Sequence, residues 1–302
     1  MILSIGEILY DIFPGYKRLG GAPLNFAFHV KQLGVPVCLV SRIGADAAGL
    51  SALQELRQIG FDTSHIQIDK QHRTGEVIVK IDQNGEPDFN IADNVAYDYI
   101  NYKHMQHILK DETIDLIYFG SLIQRTGYGF ETMKKVFASK SPNTKCLYDI
   151  NLRPDCYSKA VIVESMRQAD LLKINETEFQ TIKQMLDGSR KSDAAFLDQL
   201  MNDYQIEMIA LTRGSKGSEI ITQDNHYTQQ APLHSKTVNS VGAGDAYTSI
   251  VAIGYLQGLP MEEILSAATD FAARICEIDS AFTTDPSFYD NWRSRHHEVN
   301  IG

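Results

Sequence analysis

No apolar run in this sequence approaches the roughly 18–20 residues that a membrane-spanning helix requires. The first residues, Met1-Ile-Leu-Ser-Ile-Gly-Glu7, carry no basic segment ahead of an apolar core. No secretion signal is therefore expected, and a cytoplasmic location is. Cysteine is scarce: Cys38, Cys146, Cys156 and Cys276 occur without any CxxC spacing. That spacing argues against a metal ribbon or redox motif, and the four thiols read as small core residues of a reducing compartment. Positive charge is also short, 28 Lys and Arg against 38 Asp and Glu, for a formal net charge of −10. Such a chain suits neither a nucleic-acid backbone nor an anionic membrane, and neither partner is expected. A G-x-x-x-x-G-K-[ST] phosphate loop is missing, and Gly242-Ala-Gly244 lacks the third glycine of a dinucleotide fingerprint.

What is present is a regular alternation. Short apolar runs at Ile2–Ile5, Val37–Val40, Leu116–Phe119, Lys145–Tyr148, Leu171–Ile174 and Met208–Leu211 read as buried strands. Amphipathic stretches at Leu24–Leu33, Gly49–Ile59, Tyr128–Ala138, Ala160–Ala169 and Ala194–Tyr204 read as helices. Strand–helix alternation over 302 residues, 43% of them hydrophobic, predicts one α/β domain with a mostly parallel, Rossmann-like sheet covered on both faces. Two stretches interrupt the pattern. Ile8–Pro14 and Gly75–Ile91 look like short strands, the second turning at Gln83-Asn84-Gly85-Glu86. They predict a small β lid from about 8–18 and 64–98, which is either surface decoration or a cover for substrate. Its free edges offer a surface for a homodimer. His104 and His107 fall on one predicted helix face without a third ligand and read as solvated surface, and His296-His297 as exposed tail.

Ligands of a parallel sheet bind beyond the strand C-termini. The segment Asn239-Ser-Val-Gly-Ala-Gly-Asp245-Ala-Tyr precedes a helix-like Thr248–Leu256. N–H groups of Gly242, Ala243 and Gly244 can converge on an anion there, aided by the helix dipole. Asp245 can take a proton from an attacking hydroxyl, or can merely cap the helix. Asp11 lies past the first strand and can accept hydroxyls. Gly20 and Gly21 permit close backbone approach to a ligand. Asn25 can both donate and accept. Asn175 and Glu178, at i and i+3, suit water-mediated Mg²⁺, or else form a capping box. Arg153 can neutralise phosphate or pair with a surface carboxylate. Thr212, Gly214 and Gly217 form a phosphate-binding loop or an ordinary turn.

The ordered set of these segments resembles the PfkB/ribokinase carbohydrate kinases. Leu19-Gly-Gly-Ala-Pro-Leu-Asn25 is similar to the family's N-terminal signature and Asn239–Tyr247 to its C-terminal one. Between them, Asp149-Ile-Asn151-Leu-Arg153, Asn175-Glu-Thr-Glu178 and Thr212-Arg-Gly214-Ser-Lys-Gly217 resemble three further family motifs. Asp279-Ser-Ala-Phe and Phe288-Tyr289 resemble its closing segment. The resemblance implies a ribokinase-like fold and an ATP- and Mg²⁺-dependent sugar kinase. It makes Asp245 the base, Gly242–Gly244 the oxyanion hole with Arg153 alongside, and Asn175 and Glu178 organisers of Mg²⁺ and triphosphate. Thr212, Gly214 and Gly217 become the nucleotide loop, and Asp11, Gly20, Gly21, Asn25 and Asp93 the sugar site. Gly6-Glu7, Gly20–Pro23 and Asn151–Pro154 look most like the fructokinase branch.

Two departures stand out. Asn239 replaces the family's usual Asp near a loop that often helps bind a monovalent cation, so weak or absent K⁺ stimulation is expected. Ser280-Ala281 replaces the usual Gly-Ala. For the acceptor, relatives acting on keto-sugar acids often carry an aromatic-Arg segment in the lid. Here Asp88–Asp98 holds three Asp, two Asn and no cation, although Arg73 and Lys80 lie near in sequence. A neutral sugar, fructose first, is expected. A keto-sugar-acid or nucleoside kinase, and a non-catalytic sugar-sensing paralogue, remain the alternatives.

Overall fold

The computed structural model describes the backbone of residues 1–81, 87–110, 113–232 and 237–297, and their side chains except at 79–81, 87–89 and 294–297. In chain order the elements are β1 (Ile2–Ile5), β2 (Leu9–Phe13), β3 (Tyr16–Gly20), α1 (Ala22–Gln32), β4 (Val37–Gly44), α2 (Ala47–Gln58), β5 (Ile66–Asp69), β6 (Gly75–Ile81) and β7 (Pro87–Ile91). After three short 3-10 turns come β8 (Leu116–Gly120), α3 (Gly127–Ser139), β9 (Lys145–Asp149), α4 (Lys159–Gln168), β10 (Leu171–Asn175), α5 (Glu176–Met185) and α6 (Asp193–Tyr204). The chain ends with β11 (Met208–Thr212), β12 (Ser218–Thr222), β13 (His226–Gln229), α7 (Ala243–Leu256), α8 (Met261–Ile275) and α9 (Asp290–His297).

Nine strands form one sheet in the order β13-β12-β11-β10-β9-β8-β1-β4-β5, parallel from β11 to β5 and antiparallel at β12 and β13. This is the mostly parallel, Rossmann-like α/β sheet that the alternation predicted. Both faces are buried, so the strands read as continuous apolar runs rather than alternating ones. In β8, Leu116 and Tyr118 face a core with α1, α2, α7 and α8, while Ile117 and Phe119 face one with α3, α4, α5 and α6. Cys38 lies in β4 and Cys146 in β9, and all four cysteines are free thiols.

A second, four-stranded sheet has the order β3-β2-β6-β7. It lies across residues 9–20 and 75–91, narrower than the 64–98 expectation. Ile66–Asp69 pairs with β4 and extends the large sheet instead. The Gln83–Glu86 turn falls outside the described residues. Residues 102–110 form short 3-10 turns rather than a helix, so His104 and His107 share no α-helical face. His107 approaches His65 instead, with ring centroids 5.8 Å apart. His296 and His297 close α9, and their side chains are not among those described. No helix among the described residues is long and apolar enough to cross a membrane.

Arg125, just after β8, anchors the return of the chain from the small sheet. Its Nε and Nη2 donate to both oxygens of buried Asp98 at 2.7 and 2.8 Å, and Nη2 also donates to the Ala92 carbonyl at 2.7 Å. Opening a buried pair of this kind from one side costs about 3–5 kcal/mol.

The closing segment is held by His29 of α1. The Ala281 carbonyl can only accept, so Nε2 carries the proton at 3.1 Å, and Nδ1 accepts from the Tyr289 hydroxyl at 3.2 Å. Burial pushes this imidazole from 6.5 down to about 3, with the Ala281 hydrogen bond opposing the shift. Between those values the native protein binds fewer protons than the unfolded chain, so stability falls as pH falls. From pH 6.5 to about 4 this residue should remove about 3 kcal/mol. Glu7, Asp11 and Asp245 act with opposite sign in that region, because their folded values are raised. Urea unfolding of His29→Gln isolates the effect. Wild type should lose about 3 kcal/mol more than the variant over that range, and equal losses would show that native His29 titrates freely.

Candidate active site

The C-terminal edge of the parallel strands gathers the polar residues, as the parallel register requires. That register sets Asp149 beside Lys173 across β9 and β10, and Asn175 beside Thr212 across β10 and β11. Facing this edge is the start of α7. The helix begins at Ala243, five residues earlier than the periodicity suggested, because its glycine-rich first turn carries no apolar signal. Gly242 caps it at φ +80°, and a Cβ there would lie 2.5 Å from the Ala281 Cβ. Glycine is thus required by both conformation and space. The first N–H groups of a helix have no intrahelical acceptor. At α7 the Ala243 N–H reaches the Ser240 carbonyl at 3.3 Å, so the hole is set chiefly by its neighbours rather than by three equivalent donors.

Asp245 sits in this first turn, 9% exposed. Asn25 of α1 donates from Nδ2 to Asp245 Oδ2 at 2.8 Å, and its own Oδ1 is buried without a hydrogen-bond partner. The amide expected to hold a ligand therefore gives one donor to Asp245 and keeps a free acceptor. Burial pushes the Asp245 carboxyl up to about 7, helped by the negative charge of Asp149 and opposed by Asn25, Lys173 and Arg153. Asp11 rises to about 6, mainly through burial, with Arg153 and Arg18 opposing. Arg153 is exposed on its loop, yet its charge acts on Glu7, Asp11 and Asp245 alike.

Asp11, Gly20 and Asn25 line a cavity of about 330 Å³ between the small sheet and the loops at Asn239 and Ser280. Gly21 has a second reason for lacking a side chain. At φ +116° its Cβ would sit 2.4 Å from the Glu7 carbonyl, so the close approach is to the chain's own backbone. Asp93 is not among the lining residues; it is exposed, 3.6 Å from Arg125. The same Arg125 supplies a cation to the Asp88–Asp98 stretch from outside it, but spends it on Asp98. Lys17, Arg18 and Glu55 also line the cavity. Arg18 is paired with Asp279 at 3.0 Å, and Lys17 Nζ lies 4.0 Å over the Tyr10 ring.

On the other side, Asn175 caps α5. Its Oδ1 accepts the Glu178 N–H at 2.9 Å, while Glu178 Oε2 accepts the Asn175 N–H at 2.8 Å and Oε1 the Leu152 N–H at 3.0 Å. The capping box is thus formed, and each Glu178 oxygen keeps a lone pair. Burial, with Asp149 adding to it and Lys173 opposing, raises the Glu178 carboxyl. Carboxylates crowded in this way suit a hydrated divalent cation. Among the described residues no cluster of three or more His, Cys, Asp or Glu could hold a metal ion directly. The Thr212–Gly217 loop closes on itself, with the Gly217 N–H donated to the Gly214 carbonyl and the Arg213 N–H to Gly217. Asn239 Oδ1 accepts the Val241 N–H at 3.0 Å within its own turn.

Glu7, Asp149 and Lys173 were given no role by the sequence. Glu7 is 4% exposed, accepts the Ala22 N–H at 3.2 Å, and is pushed up to about 7 by burial. Lys173, 6% exposed, donates from Nζ to the fully buried Asp149 at 3.1 Å. A lone lysine inside the apolar run Leu171–Ile174 was the available signal, since an unpaired charge is rarely buried.

Comparison with known proteins bears on this site. A family model described as pfkB family carbohydrate kinase matches residues 15–286. A sugar kinase of Pyrococcus horikoshii is 28% identical over 94% of this chain and 92% of its own length. The fructokinase of Salmonella typhimurium is 25% identical over 90% of each. The solved structure of the Pyrococcus sugar kinase in complex with ATP superposes with a TM-score of 0.76 at 28% identity, covering 93% of this chain and 94% of that one.

Gly242→Ala tests the geometry of the helix start. The positive φ alone costs a non-glycine residue about 1–3 kcal/mol, and the Ala281 clash adds to it. Denaturant unfolding should show a loss of at least that size. A loss below about 0.5 kcal/mol would mean the closing segment moves aside freely.

Proposed function

This chain belongs to the pfkB family of carbohydrate kinases, and on that premise we propose that it transfers the γ-phosphoryl group of ATP to a primary hydroxyl of a neutral sugar, fructose foremost. The observation that carries the proposal is Asp245, a buried carboxylate held by Asn25 in the first turn of a helix that meets the strand ends through the Thr248 hydroxyl and Asp149. In this reading Asp11 and Asn25 Oδ1 accept hydroxyl hydrogens of the sugar. Asp245 takes the proton of the reacting hydroxyl. The sugar oxygen bonds to the γ-phosphorus, the bond to the β,γ-bridging oxygen breaks, and ADP leaves. Gly242, Ala243 and Gly244 stabilise charge on the moving group, and Arg153 lies alongside. Thr212, Gly214 and Gly217 border the nucleotide. Asn175 and Glu178 would hold Mg²⁺ through water, and the ion would supply charge neutralisation along the triphosphate.

A neutral acceptor is supported by how the cations near the cavity are spent. Of those lining it, Arg18 is paired with Asp279 and Lys17 lies over the Tyr10 ring, while Arg153, whose charge reaches Asp11, is assigned to the phosphoryl group. A carboxylate on the acceptor would meet Asp11 and Glu55 with those partners already engaged.

Two measurements test this reading. Asp245→Asn should lower kcat by roughly 10²–10⁴, the range of a lost general base. Wild-type kcat/KM should rise with pH through about 7, where the Asp245 carboxyl ionises. Near wild-type turnover by the variant would reduce Asp245 to a helix cap.

Steady-state kinetics with fructose, ribose, a nucleoside and 2-keto-3-deoxygluconate should give the highest kcat/KM for fructose. A preference for the sugar acid would overturn the charge argument, and no turnover with any acceptor would favour a sensing role.

A further inference from the structure

Lys173 is the most deeply placed cation of the site, and the proposed reaction leaves it without a task. It lies in β10, two residues before Asn175, and only 6% of it is exposed. Asp149 holds it, with Oδ1 accepting from Nζ at 3.1 Å. Asp149 is itself fixed by the Thr248 hydroxyl at 3.2 Å and the Tyr118 hydroxyl at 3.4 Å, both on Oδ2. The ammonium also lies against the start of α7. A Cβ built on Gly244 would be 3.1 Å from Lys173 Nζ and 3.9 Å from its Cε, with no other atom within 4 Å.

Structural need does not explain this arrangement. A buried ion pair is a weak stabiliser compared with apolar side chains of the same volume. An ammonium beside a helix N-terminus also faces the positive end of the dipole, which disfavours it. Two positive features brought together in a buried place are both satisfied by an anion lying between them. Gly244 is equally informative. Its φ lies outside the left-handed region and it sits inside a helix, where alanine is normally the better residue. What a side chain there would meet is Lys173 alone.

We propose that Lys173, clamped by Asp149, is a further catalytic residue that donates hydrogen bonds to the transferring γ-phosphoryl group, and that Gly244 lacks a side chain in order to admit its ammonium. This rests on the phosphoryl-transfer reading above. Lys173 takes no proton in the step; it remains an ammonium throughout, and the hydroxyl proton still ends on Asp245. The charges around it agree. Asp149 Oδ1, 3.1 Å from its Nζ, supplies the countercharge.

The decisive protein is the double variant Lys173→Met with Asp149→Asn, which removes both charges and leaves no buried ion alone. Its fold is checked by circular dichroism and thermal unfolding. ATP and ADP binding are then measured by calorimetry with Mg²⁺ present, alongside sugar kinetics. The double variant should bind ATP at least about 10-fold more weakly while ADP affinity and acceptor KM stay within about 3-fold, and kcat should fall by at least about 10². ATP affinity and kcat both within about 3-fold of wild type in a folded variant would make the pair structural and overturn the proposal. Should the double variant fail to fold, Gly244→Ala replaces it. The helix accepts alanine there, so an unchanged melting temperature with a reduced ATP-to-ADP affinity ratio supports the proposal, and an unchanged ratio overturns it. Wild-type protein that binds ATP yet phosphorylates no sugar would refute the proposed function, while the affinity ratio would still decide the role of Lys173.

Discussion

A single hydrogen bond, 2.8 Å from Asn25 to Asp245, joins the two ends of the site. Asn25 belongs to the second turn of α1 and Asp245 to the first turn of α7, and these helices pack on the same face of the sheet. Everything else in the site is arranged about this contact. The same α1 holds the closing segment through His29, and that segment lies against Gly242. One helix therefore fixes both the Asp245 carboxyl and the segment that walls the start of α7. The joint is rigid because each side is fully packed, and a packed core transmits small shifts rather than absorbing them.

The second theme is crowding of negative charge. Glu7, Asp11, Glu178 and Asp245 are all raised from their ordinary values, chiefly by burial. Countercharge comes from Lys173 within the sheet, Arg153 on its loop and Arg18 of the small sheet. An array of this kind has weak affinity for a further anion by itself. It becomes receptive when a divalent cation arrives with the anion, which is the form in which nucleotide triphosphates are usually presented.

The sequence made much of the fold legible and less of the site. Continuous apolar runs revealed the buried strands because both faces of a parallel sheet are covered. The ordered segments from Leu19 to Tyr247 revealed the family. Lys173 was missed because its partner, Asp149, is set by parallel register, which no local pattern encodes. Arg18 and Lys17 were missed because a hairpin decides which side chains turn inward. Ile66–Asp69 was assigned to the wrong sheet, since a short strand does not announce its partner. Gly21 was read as making room for a ligand, and its place beside the Glu7 carbonyl was not visible in the sequence. Asp93 has the right chemistry for a sugar but stands outside the cavity lining.

The Asn25–Asp245 contact joins residues 220 apart in the chain, and this has a bearing on synthesis. The residues of the nine-stranded sheet are all translated before α7 begins. A nascent chain at that stage has α1 in hand but no helix to dock on its exposed face. Leu24, Phe28 and Val30 share a core with Ile250 and Ile253 of α7, so that face stays open until the last fifth of the protein emerges. Long-range closures of this sort are slow and leave apolar surface exposed meanwhile. Completion of the active site and burial of the last sticky surface are therefore one event, so a chain that stops short is both inactive and prone to aggregate.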